Sequence, residues 1–197
     1  MDLKSVSKNF PGFSRIFSVH DPLGNRPFRA YVGITSEECT SFLHGEAYPD
    51  APIQPRWHMG SPKPMDVIWT TMAAPLLISK RLVGILREHK FTGWDVSPVD
   101  LRGKTGEALP DYYFLHILGR CGPIDDSKSK NVGVSQGGGF NVLRGLYFDP
   151  AAWDGSDFFM ADNANFIFVS EDVKKVIQKE KIRNLRFDAL DEIERDR

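Results

Sequence analysis

The chain has 197 residues, 41% hydrophobic and 26% charged, and its 25 Lys plus Arg against 26 Asp plus Glu leave a net charge of −1. Such a chain can bury a full core, and its near-zero charge excludes chain-wide attraction to nucleic acid or a membrane surface, so any partner is recognised locally. No apolar run approaches the ~20 residues of a membrane span, and the polar N-terminus lacks the apolar centre of a secretory signal.

In chain order, residues 1–27 are rich in Pro, Gly and Ser, with "NFPGF" and "DPLGN" as turn chemistry between the apolar anchors Phe10, Phe13, Ile16 and Phe17. This predicts a docked, irregular arm. "FRAYVGI" (28–34) has strand composition, and "TSEECTSFLHG" (35–45), with its Thr or Ser cap, two acids and closing glycine, predicts a short helix. Five prolines between 49 and 64 exclude regular helix there. "MDVIWTT" (65–71) reads as a strand followed by a helix. "WDVSPVDL" and "DYYFLHILGRC" read as two strands joined by the polar loop 102–111, the second apolar on both alternating faces and therefore central in a sheet. Residues 125–139 are polar and predict a mobile connection. Three strand-like runs follow ("FNVLRGLYFD", "SDFFMAD", "ANFIFVS"), then a helix over about 170–181 and a charged tail that frays or extends as a surface helix.

The stretch "PLLISKRLVGILREHKFTGWDV" recurs 91 positions later as "NFIFVSEDVKKVIQKEKIRNLRF". Ser79 aligns with Ser170, Leu82 with Val173, Ile85 with Val176, Leu86 with Ile177, Gly93 with Asn184, Trp94 with Leu185 and Val96 with Phe187. The pattern is an N-cap, an apolar helical stripe, a residue able to take the left-handed conformation that ends a helix, and an alternating strand. Exposed positions differ, as Lys80, Arg87 and His89 against Glu171, Gln178 and Glu180 show. A matched interior under unmatched surfaces is the mark of a scaffold. Together these elements predict an α+β fold over 1–197 as one domain, with a mixed or mainly antiparallel sheet, two similar helix–strand units and the irregular N-terminal arm.

Candidate chemistry is sparse. The histidines His20, His44, His58, His89 and His116 and the two cysteines contain no CxxC or HxxxH, so neither a metal nor a cofactor is expected. His116 falls mid-strand, where a hydrogen-bonded core histidine is the ordinary outcome. A nucleophile pair of Cys39 with His44 or His58 would make a cysteine-dependent hydrolase, but a buried, inert thiol is the simpler reading, and both Cys39 and Cys121 read as free thiols of a reducing compartment, the cytoplasm. "SQGGGF" (135–140) could present backbone N–H groups to an anion, yet it lacks the Lys-Ser/Thr of a phosphate loop.

From Gly145 through Val173 there is no Lys or Arg, while Asp149, Asp154, Asp157, Asp162, Glu171 and Asp172 are interleaved with Tyr147, Phe148, Trp153, Phe158, Phe159, Phe166 and Phe168. Most of these are core aromatics and turn or cap acids. The sharper expectation is an acidic patch, Asp149, Asp154, Asp157 and Asp162, anchored by Trp153 on its turn and holding a basic protein partner.

The order "PMDVIWTT…PLLISKRLVGILREHKFTGWDVSPVDL…DYYFLHILGRCGPIDDSKS", then "LYFDP", "DFFMAD" and "FIFVSEDVKKVIQKEKIRNLRF", resembles the myxobacterial-type immunity-protein family of polymorphic toxin systems over roughly residues 60–190. The resemblance implies an α+β domain that binds a cognate protein toxin in the producing cell and blocks it, with no catalytic motif, no direct nucleic-acid contact and no membrane. The Pro/Gly-rich 1–60 segment falls outside the clearer part of the match, which leaves 61–190 as the family-like core.

Overall fold

The structure is a computed structural model that describes residues 10–24, 26–71, 76–135 and 138–196. Among these, β1 (Ile16–His20), β2 (Arg29–Tyr31), α1 (Ser36–Leu43), β3 (Arg56–Met59), β4 (Val67–Thr70), β5 (Leu76–Ser79), α2 (Lys80–Glu88) and β6 (Trp94–Pro98) precede β7 (Tyr112–Ile117) and β8 (Gly119–Arg120). Then follow β9 (Lys130–Val134), β10 (Asn141–Arg144), β11 (Phe158–Met160), β12 (Ile167–Ser170), α3 (Glu171–Lys179), β13 (Arg186–Ala189) and β14 (Glu194–Asp196). The fold is α+β, with mixed, mainly antiparallel sheets.

The repeat is larger than the helix–strand unit. One sheet runs β3-β2-β4-β5-β7-β6 and another β8-β11-β12-β1-β13, so β2, β4, β5, β7 and β6 correspond in order to β8, β11, β12, β1 and β13. The registers agree residue by residue. Trp69 pairs with Leu76 as Met160 pairs with Ile167, and Arg29 meets Trp69 in the same parallel pairing in which Arg120 meets Met160. The strand that completes each sheet comes from elsewhere in the chain. β7 lies between β5 and β6, whereas its counterpart β1, from the N-terminal segment, lies between β12 and β13 of the C-terminal half. Within the segment expected to be an irregular arm, Ile16–His20 thus forms an interior strand of the second sheet.

Both helices begin alike. Ser79 Oγ accepts from Leu82 N–H at 3.2 Å and donates to Asp66 Oδ1 at 2.6 Å; Ser170 Oγ accepts from Val173 N–H at 3.4 Å and donates to Asp157 Oδ1 at 2.9 Å. They also end alike. Phe91 N–H reaches Leu86 C=O and Ile182 N–H reaches Ile177 C=O, the closing bond of a Schellman turn, with Lys90 and Lys181 at φ 57° and 56°. The helix-ending left-handed residues are therefore these lysines, and Gly93 and Asn184, also at positive φ (81° and 71°), turn the chain into the next strand. There the halves lock together. Trp69 Nε1–H donates to Asn184 C=O at 2.7 Å, Asn184 Nδ2–H donates to Val67 C=O at 2.9 Å, and Phe158 N–H donates to Thr92 C=O at 3.0 Å.

The central core takes Val67, Trp69, Leu76 and Ile78 from one sheet, Phe158, Met160, Ile167 and Val169 from the other, and Leu82, Leu86, Val173 and Ile177 from the helices between them. The outer face of the first sheet buries Phe28, Ile68, Leu77 and Phe114 beneath Phe42 of α1 and Leu101. The outer face of the second buries Phe159 and Phe168 beneath Leu146, Phe148, Trp153 and the arm residues Phe10 and Phe13. Each fully buried side chain of this size contributes about 1.5–3 kcal/mol, whereas exposed pairs such as Lys80–Asp111 contribute about 0–1 kcal/mol, so these three cores hold the fold.

Several segments differ from the sequence expectation: the proline-rich 46–64 segment, expected to be a loop, contains strand β3, and Leu76–Ser79, expected to open a helix, is strand β5. Within 125–139, expected to be a mobile connection, β9 pairs with β10, all five of its residues exposed, and the charged tail contributes the strand β14 to the other side of β10 where fraying or a surface helix was expected. β14 carries no alternating apolar pattern, and the alternating Val132 and Val134 of β9 are exposed, so long-range pairing is what reveals these strands.

Candidate partner-binding surface

The base-free 145–173 stretch wraps the free edge of the second sheet. Asp154 clips edge strand β8: its N–H donates to Arg120 C=O at 3.1 Å, and its Oδ2 accepts from Arg120 N–H at 2.9 Å while Oδ1 accepts from Ser156 N–H at 2.9 Å. Asp149 caps the short turn Pro150–Ala152 by accepting from Ala151 N–H at 3.0 Å. Asp162 is exposed on the other side of this edge, its N–H bonded to Gly122 C=O. Asp149, Asp154 and Asp162 thus present exposed carboxylates around residues 120–122.

The other two expected site residues point elsewhere. Asp157 is half-buried and its carboxylate is fully engaged, accepting from Thr92 N–H and Oγ1–H as well as Ser170 Oγ–H. Trp153 is only 9% exposed, its ring between Phe10 (5.8 Å) and Phe159 (5.7 Å) and its Nε1–H donating to Ser156 C=O. Its position on a turn suggests projection, but two aromatic neighbours outcompete water for the indole.

A second surface was not anticipated. At the edge formed by β3, the Arg56 guanidinium lies 5.2 Å over the Tyr31 ring and Lys104 Nζ lies 5.0 Å over Trp57, and neither cation has an ion pair among the described residues. The available signal was the absence of any acid between Asp50 and Asp66. Since β2 corresponds to β8, the equivalent edges of the two sheets carry opposite charge.

The alternative chemistries find little support. Burial pushes the Cys39 thiol up to about 11, and His44 Nε2 is engaged by Asn165 Oδ1 at 2.9 Å, so Cys39 is a poor nucleophile at neutral pH. Burial, aided by Asp162 and Asp154, pushes Cys121 up to about 12. His116 is a satisfied core histidine, with Nδ1 at 2.5 Å from Phe42 C=O and Nε2 at 2.8 Å from Ser97 Oγ. "SQGGGF" lies partly outside the described residues; Gly138 N–H and Ser135 C=O close the β9–β10 turn there. Among the described residues no group of three His, Cys, Asp or Glu is placed to hold a metal ion, and no helix is long and apolar enough to cross a membrane.

The chain matches the immunity protein family Imm11 over residues 16–192, and it belongs to that family. The match opens at the first residue of β1 and takes in both halves, well beyond the 60–190 core of the sequence resemblance. No curated protein matches the chain.

Proposed function

We propose that this immunity protein neutralises a cognate polymorphic, contact-dependent toxin in the cytoplasm of the producing cell by stoichiometric occlusion, without catalysis, and that 1–197 acts as a single folded unit. The observation that carries the binding surface is the set of exposed carboxylates Asp149, Asp154 and Asp162, the first two fixed by backbone N–H groups. Carboxylates already held in place lose little side-chain entropy on binding, and a row of them attracts a basic partner and speeds its capture. In this reading Trp153 and Asp157 hold the acidic loop in place, and the three exposed acids make the contact.

The test is the triple variant Asp149→Asn, Asp154→Asn, Asp162→Asn, titrated against the toxin encoded beside it at low and moderate salt. Affinity falls at least about tenfold at low salt, and its salt dependence flattens. Unchanged affinity and salt dependence would move the contact off this edge; failure of the wild-type protein to bind or rescue cells from that toxin would overturn the neutralising role itself.

A further inference from the structure

Each of the three sheets has two edges, and among the described residues every edge but one is closed. β3 is bridged to Arg102, whose C=O accepts from Trp57 N–H at 2.8 Å, and β8 is clipped by Asp154. On β6, Pro98 has no N–H to offer, and Asp95 Oδ1 takes the N–H of Val96 at 2.8 Å. β13 carries the ion pair of Arg186 with Asp188, and β14 reads Glu194, Arg195, Asp196. Charge, proline and a covering stretch of chain are the ordinary means by which a sheet edge avoids pairing with another molecule.

β9 is the exception. Among the described residues no strand lies beyond it, and its one charge, Lys130, stands at its start. The bulge opposite Val142 and Leu143 falls at Val132, so the ladder is regular again from Gly133 onward. Ser135 N–H turns inward to Phe140 C=O at 2.9 Å; successive residues alternate, so Val134 turns its N–H and C=O outward. Beside this edge stand Val132, Val134 and Phe140, 41%, 64% and 58% exposed. An open strand flanked by exposed apolar side chains is a template for a further strand.

We infer that β9 receives an extended strand of the bound toxin, which joins the β14-β10-β9 sheet through main-chain hydrogen bonds at Val134 and sets apolar side chains against Val134 and Phe140. Continuity with the acidic edge identifies the occupant. The chain leaving that edge runs into β9 with Ile124 N–H held by Asn163 Oδ1, next to Asp162, and Asp125 N–H held by Tyr147 C=O, two residues before Asp149. Gly145, whose C=O accepts from Ser129 Oγ–H at the base of the hairpin, is four residues from Asp149, at most about 14 Å of chain. Three side chains on a five-residue strand fall far short of the ~1,000 Å² that a stable interface buries, so this edge alone is too small to hold a second copy of the chain. Joined to the acidic edge, it extends one surface for one partner. The inference rests on the neutralising role proposed above for the identity of that partner.

Amide hydrogen exchange of the full chain, alone and saturated with the toxin encoded beside it, is the test. The Val134 amide exchanges freely in the chain alone and slows at least about a hundredfold in the complex. Binding without that protection overturns the inference and leaves the neutralising role standing, whereas failure of the wild-type chain to bind that toxin overturns both. Protection of Val134 in the chain alone that grows with protein concentration overturns the assignment by giving the edge to a second copy. In a second arm, Val134→Pro removes the outward N–H while sparing the ladder to β10, and weakens toxin affinity about tenfold; Val134→Thr keeps the N–H and weakens it less than about threefold. Urea unfolding midpoints check that both variants fold as the wild type does. Equal losses from the two variants would place the contact on the side chain and overturn the added strand, and the exchange result on the wild-type chain decides whether or not the proline variant keeps its hairpin.

Discussion

The two halves of the molecule share a frame and differ in what covers it. Around β4-β5-α2-β6 and β11-β12-α3-β13 the caps, Schellman ends and sheet registers coincide, and nearly all of these groups are internal. Outside the frame, α1 roofs the first sheet, while the second is covered by the arm and the 146–153 loop, and the chain that follows β8 extends as the β9–β10 hairpin. One edge is basic and aromatic, the other acidic; His116 is sealed by Tyr48, and His20, its counterpart by strand register, opens into a pocket. An internal repeat separates what folding requires from what it leaves free, and recognition belongs to the free part.

The strongest test of the shared frame sets Gly93 against Asn184. Both lie at positive φ after their helices, but a Cβ on Gly93 would overlap the Phe158 carbonyl oxygen, a backbone atom that cannot retreat without breaking the strand. Gly93→Ala is expected to cost at least ~3 kcal/mol, combining left-handed strain with that overlap. Asn184→Gly relieves strain but loses the bond to Val67 C=O and should cost only about 1 kcal/mol. Urea unfolding midpoints measure both, and equal costs would mean that the two joints are under the same constraint.

The aspartates beneath the two caps come next. Asp66 holds Ser79 and Arg81, and Asp157 holds Ser170 and Thr92, so Asp66→Asn and Asp157→Asn should each lose about 1–2 kcal/mol. Asp157→Asn should leave toxin affinity unchanged wherever the protein remains folded, in contrast to the three exposed acids. A loss of affinity with full stability would return Asp157 to the contact surface.

Much of the frame was legible because it is local. A Ser cap, a stripe at 3.6-residue spacing and a following alternating strand are written within about twenty residues, and the copy confirmed which positions are buried. β1 was hidden because "IFSVH" is short and its partners, β12 and β13, lie some 150 residues further on. β14 was hidden because it has no apolar alternation, and β9 because its two alternating valines sit in a polar, glycine-rich segment and stay exposed. The base-free acidic loop is plain in the sequence, but which acids face water depends on whether backbone N–H groups or other side chains claim their oxygens, and composition carries no such information. The correspondence of His20 with His116 is likewise a fact of strand register: the two strands are displaced by 96 positions, not 91, and the equivalence follows only from their cross-strand partners.

That pair of histidines gives the smallest and most discriminating effect. Burial lowers both imidazoles below their usual value of 6.5; for His116 the bond to Phe42 C=O and the charge of Asp95 oppose the shift, and for His20 the charge of Asp188 opposes it while Arg186 adds to it. A lowered folded value means that the unfolded chain takes up protons the folded chain refuses. Stability is therefore full above 6.5 and is lost as the pH falls from 6.5 toward the lowered folded value, by at most ~1.4 kcal/mol per pH unit for each histidine. His116 is fully buried with both nitrogens bonded, whereas the His20 side chain is 23% exposed and bounded by an open pocket, so relaxation and water blunt its share. Urea denaturation from about pH 7 to about pH 5 should thus show a slope that His116→Asn flattens more than His20→Asn, with His116→Asn also costing stability at neutral pH because Phe42 C=O and Ser97 Oγ lose their partner. If His20→Asn flattened the slope as much, the pocket over His20 would be as closed as its counterpart under Tyr48, and the two sites would differ in sequence without differing in accessibility.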